Sequence, residues 1–132
     1  AGPQSLRALL EILLRPYEDG RGRIRLEGDD VVLEEKAITP FALIFHELAT
    51  NSAKYGALQS PTGVIRVTQT VRNGQIRIDW RETGASMATS RPEKSGFGSR
   101  LLVLTIEKQL RGSFTLSMEP DGLSIGMTIP IL

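Results

Sequence analysis

Phe41, Phe45, Leu48, Ala49 and Ser52 recur at three- and four-residue spacing, which requires a helix with a narrow face of apolar and small side chains. At about 100° per residue, Glu47, Asn51 and Lys54 then fall within one arc of roughly 60° on the opposite side of that helix. A carboxylate, an amide and an ammonium on one stripe suit phosphates and a divalent cation. The plainer reading is a solvated Glu47–Asn51–Lys54 ladder, and the rest of the chain has to decide between the two. Pro40 is expected in the first turn of the helix with Thr39 as its cap, and the helix should end near Gly56.

Leu6, Leu9, Leu10, Leu13 and Leu14 predict an opening helix that stops before Pro16. Residues 23–27 and 31–34 read as two short strands around Gly28-Asp29-Asp30. Ser60-Pro61-Thr62-Gly63 is a turn, and residues 64–71 and 75–81 form a hairpin about Asn73-Gly74. Residues 84–95 are a polar loop. A third helix runs from about 97 to 110 and is closed by Gly112, and strands at 113–118 and 123–131 flank Pro120-Asp121-Gly122. Hairpin-rich strands interspersed with about three helices predict an α/β sandwich, a mixed and mostly antiparallel sheet with helices on one face.

A length of 132 residues matches a single domain with a core of its own. Sixteen basic residues against fifteen acidic ones give no electrostatic case for nucleic acid or an anionic membrane as partner. The absence of cysteine removes disulfides and thiolate metal sites and suits a reducing compartment. No apolar run approaches the roughly 20 residues of a membrane span, and the first residues do not resemble a signal peptide. The expectation is one cytoplasmic domain over residues 1–132, with both ends at a domain boundary.

Two further segments carry chemistry. Period two puts Ile76, Ile78, Trp80 and Glu82 on one strand face, so an apolar face runs directly into a carboxylate. A buried carboxylate is costly unless donors satisfy it, and the exocyclic amine of adenine is a suitable donor. The alternative is a strand that has already reached water at Glu82, and Trp80 itself reads as core rather than a stacking surface. Gly96-Phe97-Gly98-Ser99-Arg100 opens a helix, where two glycines expose backbone N–H groups to an anion. By itself this is also an ordinary loop-to-helix turn, and it has the spacing of neither a dinucleotide fingerprint nor a Walker loop.

Taken in order, these segments resemble the ATP-binding (Bergerat, or GHKL) fold shared by gyrase-type ATPases, Hsp90, histidine kinases and MutL. The catalytic domain of the HWE subfamily of bacterial sensor histidine kinases is the nearer resemblance. That subfamily is named for a His in its N-box, here His46 in His46-Glu47-Leu48-Ala49-Thr50-Asn51, and for a Trp-x-Glu, here Trp80-Arg81-Glu82. Gly96 to Leu101 resembles its second glycine box.

The resemblance implies a domain that binds ATP and Mg²⁺ and donates the γ-phosphoryl group to a histidine on a separate domain. It implies Asn51 as the Mg²⁺ ligand, Glu47 near the metal's water shell, Lys54 near the phosphates and Tyr55 along the cleft. Glu82 would hold the adenine amine, Gly84 would begin the lid, Gly96 and Gly98 would border the phosphates, and Phe97 and Ser99 would also belong to the ATP-binding set. Thr128 would sit near the adenine. His46 is expected to orient or pack rather than accept phosphate, since the family's acceptor lies on a separate helical hairpin. The implied partners are that dimerisation and phosphoacceptor domain, a sensor domain and a response regulator.

Ala85 departs from the subfamily's usual paired glycines after the Trp-x-Glu strand and bears on the lid's entry, while Arg91 and Lys94 in the lid are candidate phosphate contacts. Two other readings of the chain are a serine kinase of the anti-sigma-factor type and a degenerate nucleotide-binding interaction module.

Overall fold

Alternation of side chains along the strands settles how the sheet is covered. The computed structural model describes residues 4–84 and 97–131, among which five strands form one sheet: β1 (Ile24–Gly28), β2 (Val64–Arg72), β3 (Gln75–Thr83), β4 (Ser113–Glu119) and β5 (Gly122–Pro130). Their order is β1-β2-β3-β5-β4, with β1 parallel to β2 and every other pair antiparallel. Ile65 and Val67 on β2, Ile76, Ile78 and Trp80 on β3, and Leu123, Ile125, Met127 and Ile129 on β5 are buried. The intervening Arg66, Arg77 and Arg81 are exposed, so one sheet face is packed and the other is wet. Asn73 and Gly74 both have positive φ, 53° and 74°, which matches the twist of a two-residue hairpin between β2 and β3.

The packed face is covered by α1 (Leu6–Leu14), α2 (Glu35–Tyr55) and α3 (Phe97–Leu104), with α1 and α3 both against α2. The mixed sheet and three helices are the architecture expected from the sequence. Helix α2 buries Pro40, Phe41, Ile44, Phe45, Leu48, Ala49 and Ser52, the predicted face with Pro40 and Ile44 added. No helix among the described residues is long and apolar enough to cross a membrane.

Three local expectations are corrected. The second short strand, at 31–34, does not form; only Val32 bridges, to Ser5. Its backbone instead serves the start of α1: Leu6 N–H donates to the Val31 carbonyl at 2.9 Å, and Leu33 N–H donates to the Gln4 carbonyl at 2.7 Å. Ser5 Oγ accepts from Ala8 N–H at 3.1 Å, and Asp30 Oδ1 accepts from the N–H groups of Arg7 and Val31 at 2.9 and 2.8 Å. Burial acts to raise the Asp30 pKa, but these amide donors, with Ser5 and the Arg7 guanidinium, outweigh it and hold the carboxyl below its usual value.

Helix α2 begins at Glu35, so Pro40 lies inside it rather than in the first turn, and Thr39 is helical rather than a cap. The missing Pro40 N–H removes one bond near the helix start, and the buried proline ring packs into the core in exchange. Helix α3 does not run on as an α-helix to 110. Residues Thr105–Gln109 form a wider π turn, with Leu110 N–H donating to the Thr105 carbonyl at 3.1 Å. Arg111, at φ 57°, reverses the chain, and Gly112 N–H donates to the Ile106 carbonyl at 2.8 Å.

Candidate functional site

Strand β3 delivers Glu82 to the end of the packed face, where the side chain is 2% exposed. Its two oxygens are held by donors from different elements. Trp80 Nε1–H donates to Oε2 at 2.8 Å, and Ala57 N–H donates to Oε1 at 3.0 Å. The alternative in which Glu82 points into water is therefore wrong, because the strand is still buried there. Trp80 is core, as its spacing predicts: it is fully buried and its ring stacks with Phe45 at 6.4 Å, while Phe45 stacks with Phe41 at 6.2 Å.

Ala57 is the link between Glu82 and α2. It opens a short 3₁₀ turn, Ala57–Gln59, directly after the helix. Ser52 Oγ accepts from Leu58 N–H at 3.1 Å, and the Ser52 carbonyl accepts from Gly56 N–H at 2.9 Å. The last turns of α2, which carry Asn51, Lys54 and Tyr55, are thereby tied to the carboxylate at the end of β3. Glu47, Asn51 and Tyr55 are half-buried and Lys54 is exposed. Glu47 and Asn51 thus border the packed face, whereas Lys54 stands on the solvent side of the helix. His46 is exposed, and its carbonyl accepts from the Thr50 hydroxyl at 2.8 Å. The packing role expected of it is not met.

The start of the segment after β3 is anchored by residues that the sequence marks only as a turn and a strand start. Gly84 has φ 82°, a conformation glycine adopts without strain. Its carbonyl accepts from Ser60 Oγ at 3.2 Å and Thr62 Oγ1 at 3.0 Å. The turn carrying these hydroxyls is in turn held by Arg23, whose guanidinium donates to the carbonyls of Gly63 (2.9 Å), Ala57 (2.8 Å) and Ser60. Arg23 reads in the sequence as one basic residue at a strand start. Nothing in its neighbourhood there signals that it crosses to residues some forty positions later.

Thr128 does not join this group. It lies on β5 opposite Arg77, whose guanidinium donates to its hydroxyl at 3.4 Å, on the wet face of the sheet. The β5 residue paired with Glu82 is Leu123, which is buried. Gly98 falls in the first turn of α3. Phe97 and Ser99 share that turn, whereas Gly96, Ala85, Arg91 and Lys94 lie outside the described residues. A separate cavity of about 310 Å³ opens at the other end of the sheet, among Val32, Pro40, Phe41, Ile76, Leu110 and Ile131, and none of the expected site residues lines it.

This architecture is the fold of histidine-kinase catalytic domains. It matches the catalytic domain of the histidine kinase ThkA with a TM-score of 0.70 at 18% identity, over 95% of this chain and 91% of that one. It matches the Erythrobacter litoralis EL346 blue-light activated histidine kinase with a TM-score of 0.76 at 18% identity, over 96% of this chain and 40% of that one. At the level of sequence, the chain is 34% identical over 128 residues to a blue-light-activated histidine kinase of Brucella anthropi, covering 93% of this chain and 26% of that protein. It is 30% identical over 113 residues to the namesake of Brucella ovis, covering 83% of this chain and 23% of that protein. The chain is a homologue of these histidine kinases and spans about a quarter of their length. No protein-family model matches it.

Proposed function

We propose that residues 1–132 are the catalytic, ATP-binding domain of an HWE-type sensor histidine kinase. The observation that carries this reading is the buried Glu82 carboxylate, anchored by Trp80 and Ala57 at the foot of the helix that bears Glu47 and Asn51. Homology to histidine kinases over 93% of the chain supports it. Glu82 would accept a hydrogen bond from the amine of adenine. The Asn51 amide oxygen would face Mg²⁺, with Glu47 accepting from the metal's waters and Lys54 beside the phosphates. Tyr55 would line the cleft, and Gly84, Gly96, Phe97, Gly98 and Ser99 would border the nucleotide. Thr128, on the wet face, falls outside this set.

Asn51 and Glu47 would hold Mg²⁺, which would supply charge neutralisation to the triphosphate. It is usually held by one or two protein oxygens together with the phosphates, so the Asn51–Glu47 pair is a sufficient protein contribution. Little covalent chemistry is left to the protein in phosphoryl transfer, and these residues act by positioning and by stabilising charge. The nucleophile is an imidazole nitrogen on a dimerisation and phosphoacceptor domain of the full-length kinase. A sensor domain and a response regulator complete the pathway, and ATP as substrate puts the domain on the cytoplasmic side. One neighbour in fold, ThkA, is known in complex with its response regulator protein TrrA.

The test is incubation with γ-labelled ATP and Mg²⁺, with and without a histidine-bearing hairpin protein. Label should appear on the hairpin as an acid-labile phosphoimidazole, and the chain alone should take up essentially none. Acid-stable label on serine would replace this reading with a serine kinase. ATP binding without transfer would replace it with an interaction module.

A further inference from the structure

We propose that Trp80 is a positioning residue for base recognition: its indole N–H fixes the Glu82 carboxylate so that it accepts from an amino group on the purine six-membered ring. The proposal rests on the nucleotide reading of the site and adds a role that core packing alone does not require.

A carboxylate at the end of a flexible Glu side chain has several rotamers, and only some aim an oxygen at a ligand. Here both oxygens are anchored, Oε2 by the Trp80 indole and Oε1 by the Ala57 amide, so the plane of the carboxylate is set. Each carboxylate oxygen accepts more than one hydrogen bond, so this anchoring is compatible with a further N–H donor. The anchor is itself rigid. Trp80 is fully buried and stacks on Phe45, which stacks on Phe41, an aromatic row reaching back along α2.

Residues two apart on a strand share a face about 6.5 Å apart, and the Glu side chain is long enough to return its carboxylate to the indole N–H. An Asp at position 82 would be one methylene shorter. An oriented carboxylate accepts from an amine and repels a carbonyl oxygen, so the pair favours a 6-amino over a 6-oxo purine.

The test replaces Trp80 with Phe, which keeps a ring in the core and removes the N–H. Calorimetry on the wild type, Trp80→Phe and Glu82→Gln proteins would use Mg²⁺ with either ATP or purine riboside triphosphate, the same nucleotide without its amine. The wild type should prefer ATP. Trp80→Phe should lose roughly tenfold in ATP affinity, the effect of one hydrogen bond to a charged group, with little change for the analogue. Equal losses for both nucleotides, or an intact preference for ATP, would overturn the proposal and leave Trp80 a core residue.

A second readout needs no substitution. Trp80 is the chain's one tryptophan, so its fluorescence should change on binding ATP and change much less with the analogue. Identical responses to the two nucleotides count against the proposal. Absence of any nucleotide binding by the wild type would instead overturn the nucleotide reading itself.

Discussion

Asn51→Ala is expected to remove the Mg²⁺-dependent part of ATP affinity, a loss on the order of a hundredfold, while thermal unfolding stays close to wild type. The asymmetry follows from where Asn51 stands. It is half-buried on α2 beside the packed face and is absent from the buried set Pro40, Phe41, Ile44, Phe45, Leu48, Ala49 and Ser52 that holds the helix to the sheet. Its amide therefore contributes little to folding and is placed to serve a ligand. Calorimetry with ATP in the presence and absence of Mg²⁺ checks this directly. Undiminished Mg²⁺-dependent affinity in the variant contradicts the role given to the residue.

Gly122→Ala should be among the most damaging single-methyl additions, costing at least about 2 kcal/mol of stability and weakening nucleotide binding with it. A Cβ at this position would lie 1.7 Å from the backbone carbonyl oxygen of Glu82 and 3.1 Å from Thr83 Cα. A carbonyl on a central strand cannot swing aside as the tip of a flexible side chain can. Relief of the clash has to separate β5 from the end of β3, which moves Glu82 away from Ala57. Denaturant unfolding measures the loss. A variant with wild-type stability and wild-type ATP affinity would show that this strand end yields more easily than the geometry allows.

The extent to which the sequence foretold these features depends on the range of the interactions involved. Periodicity along residues 41–52 gave the buried face of α2, and Asn73-Gly74 gave the hairpin, because both signals are local. The strand carrying Trp80 and Glu82 was legible for the same reason. Residues 31–34 misled because a short apolar, β-branched run after Gly28-Asp29-Asp30 suits a strand, whereas their backbone is used by the start of α1, more than twenty residues earlier. Pro40 misled because a helix can start before a proline when the ring finds a buried place.

Around the site, the donors to Glu82 were the main surprise. The sequence pointed to a buried carboxylate in need of a donor, and the described residues already supply Trp80 and Ala57, the latter through the backbone 25 positions away. Arg23 was invisible because its partners are backbone carbonyls at 57, 60 and 63, which no side-chain pattern reveals. Thr128 was misplaced by a matter of strand parity: residues 123, 125, 127 and 129 face the helices, so 128 faces water.

The central claim is that the amide of Asn51 and the carboxylate of Glu82 serve a single nucleotide. The most direct measurement is a ¹H–¹⁵N NMR titration of the chain with ATP and Mg²⁺. The predicted result is one saturable set of shifts that includes the Asn51 side-chain amide and the backbone amides of Ala57 and Glu82, all with the same apparent affinity. Shifts confined to the far end of the sheet near Ile76 and Leu110, or no saturable shifts at all, would contradict it.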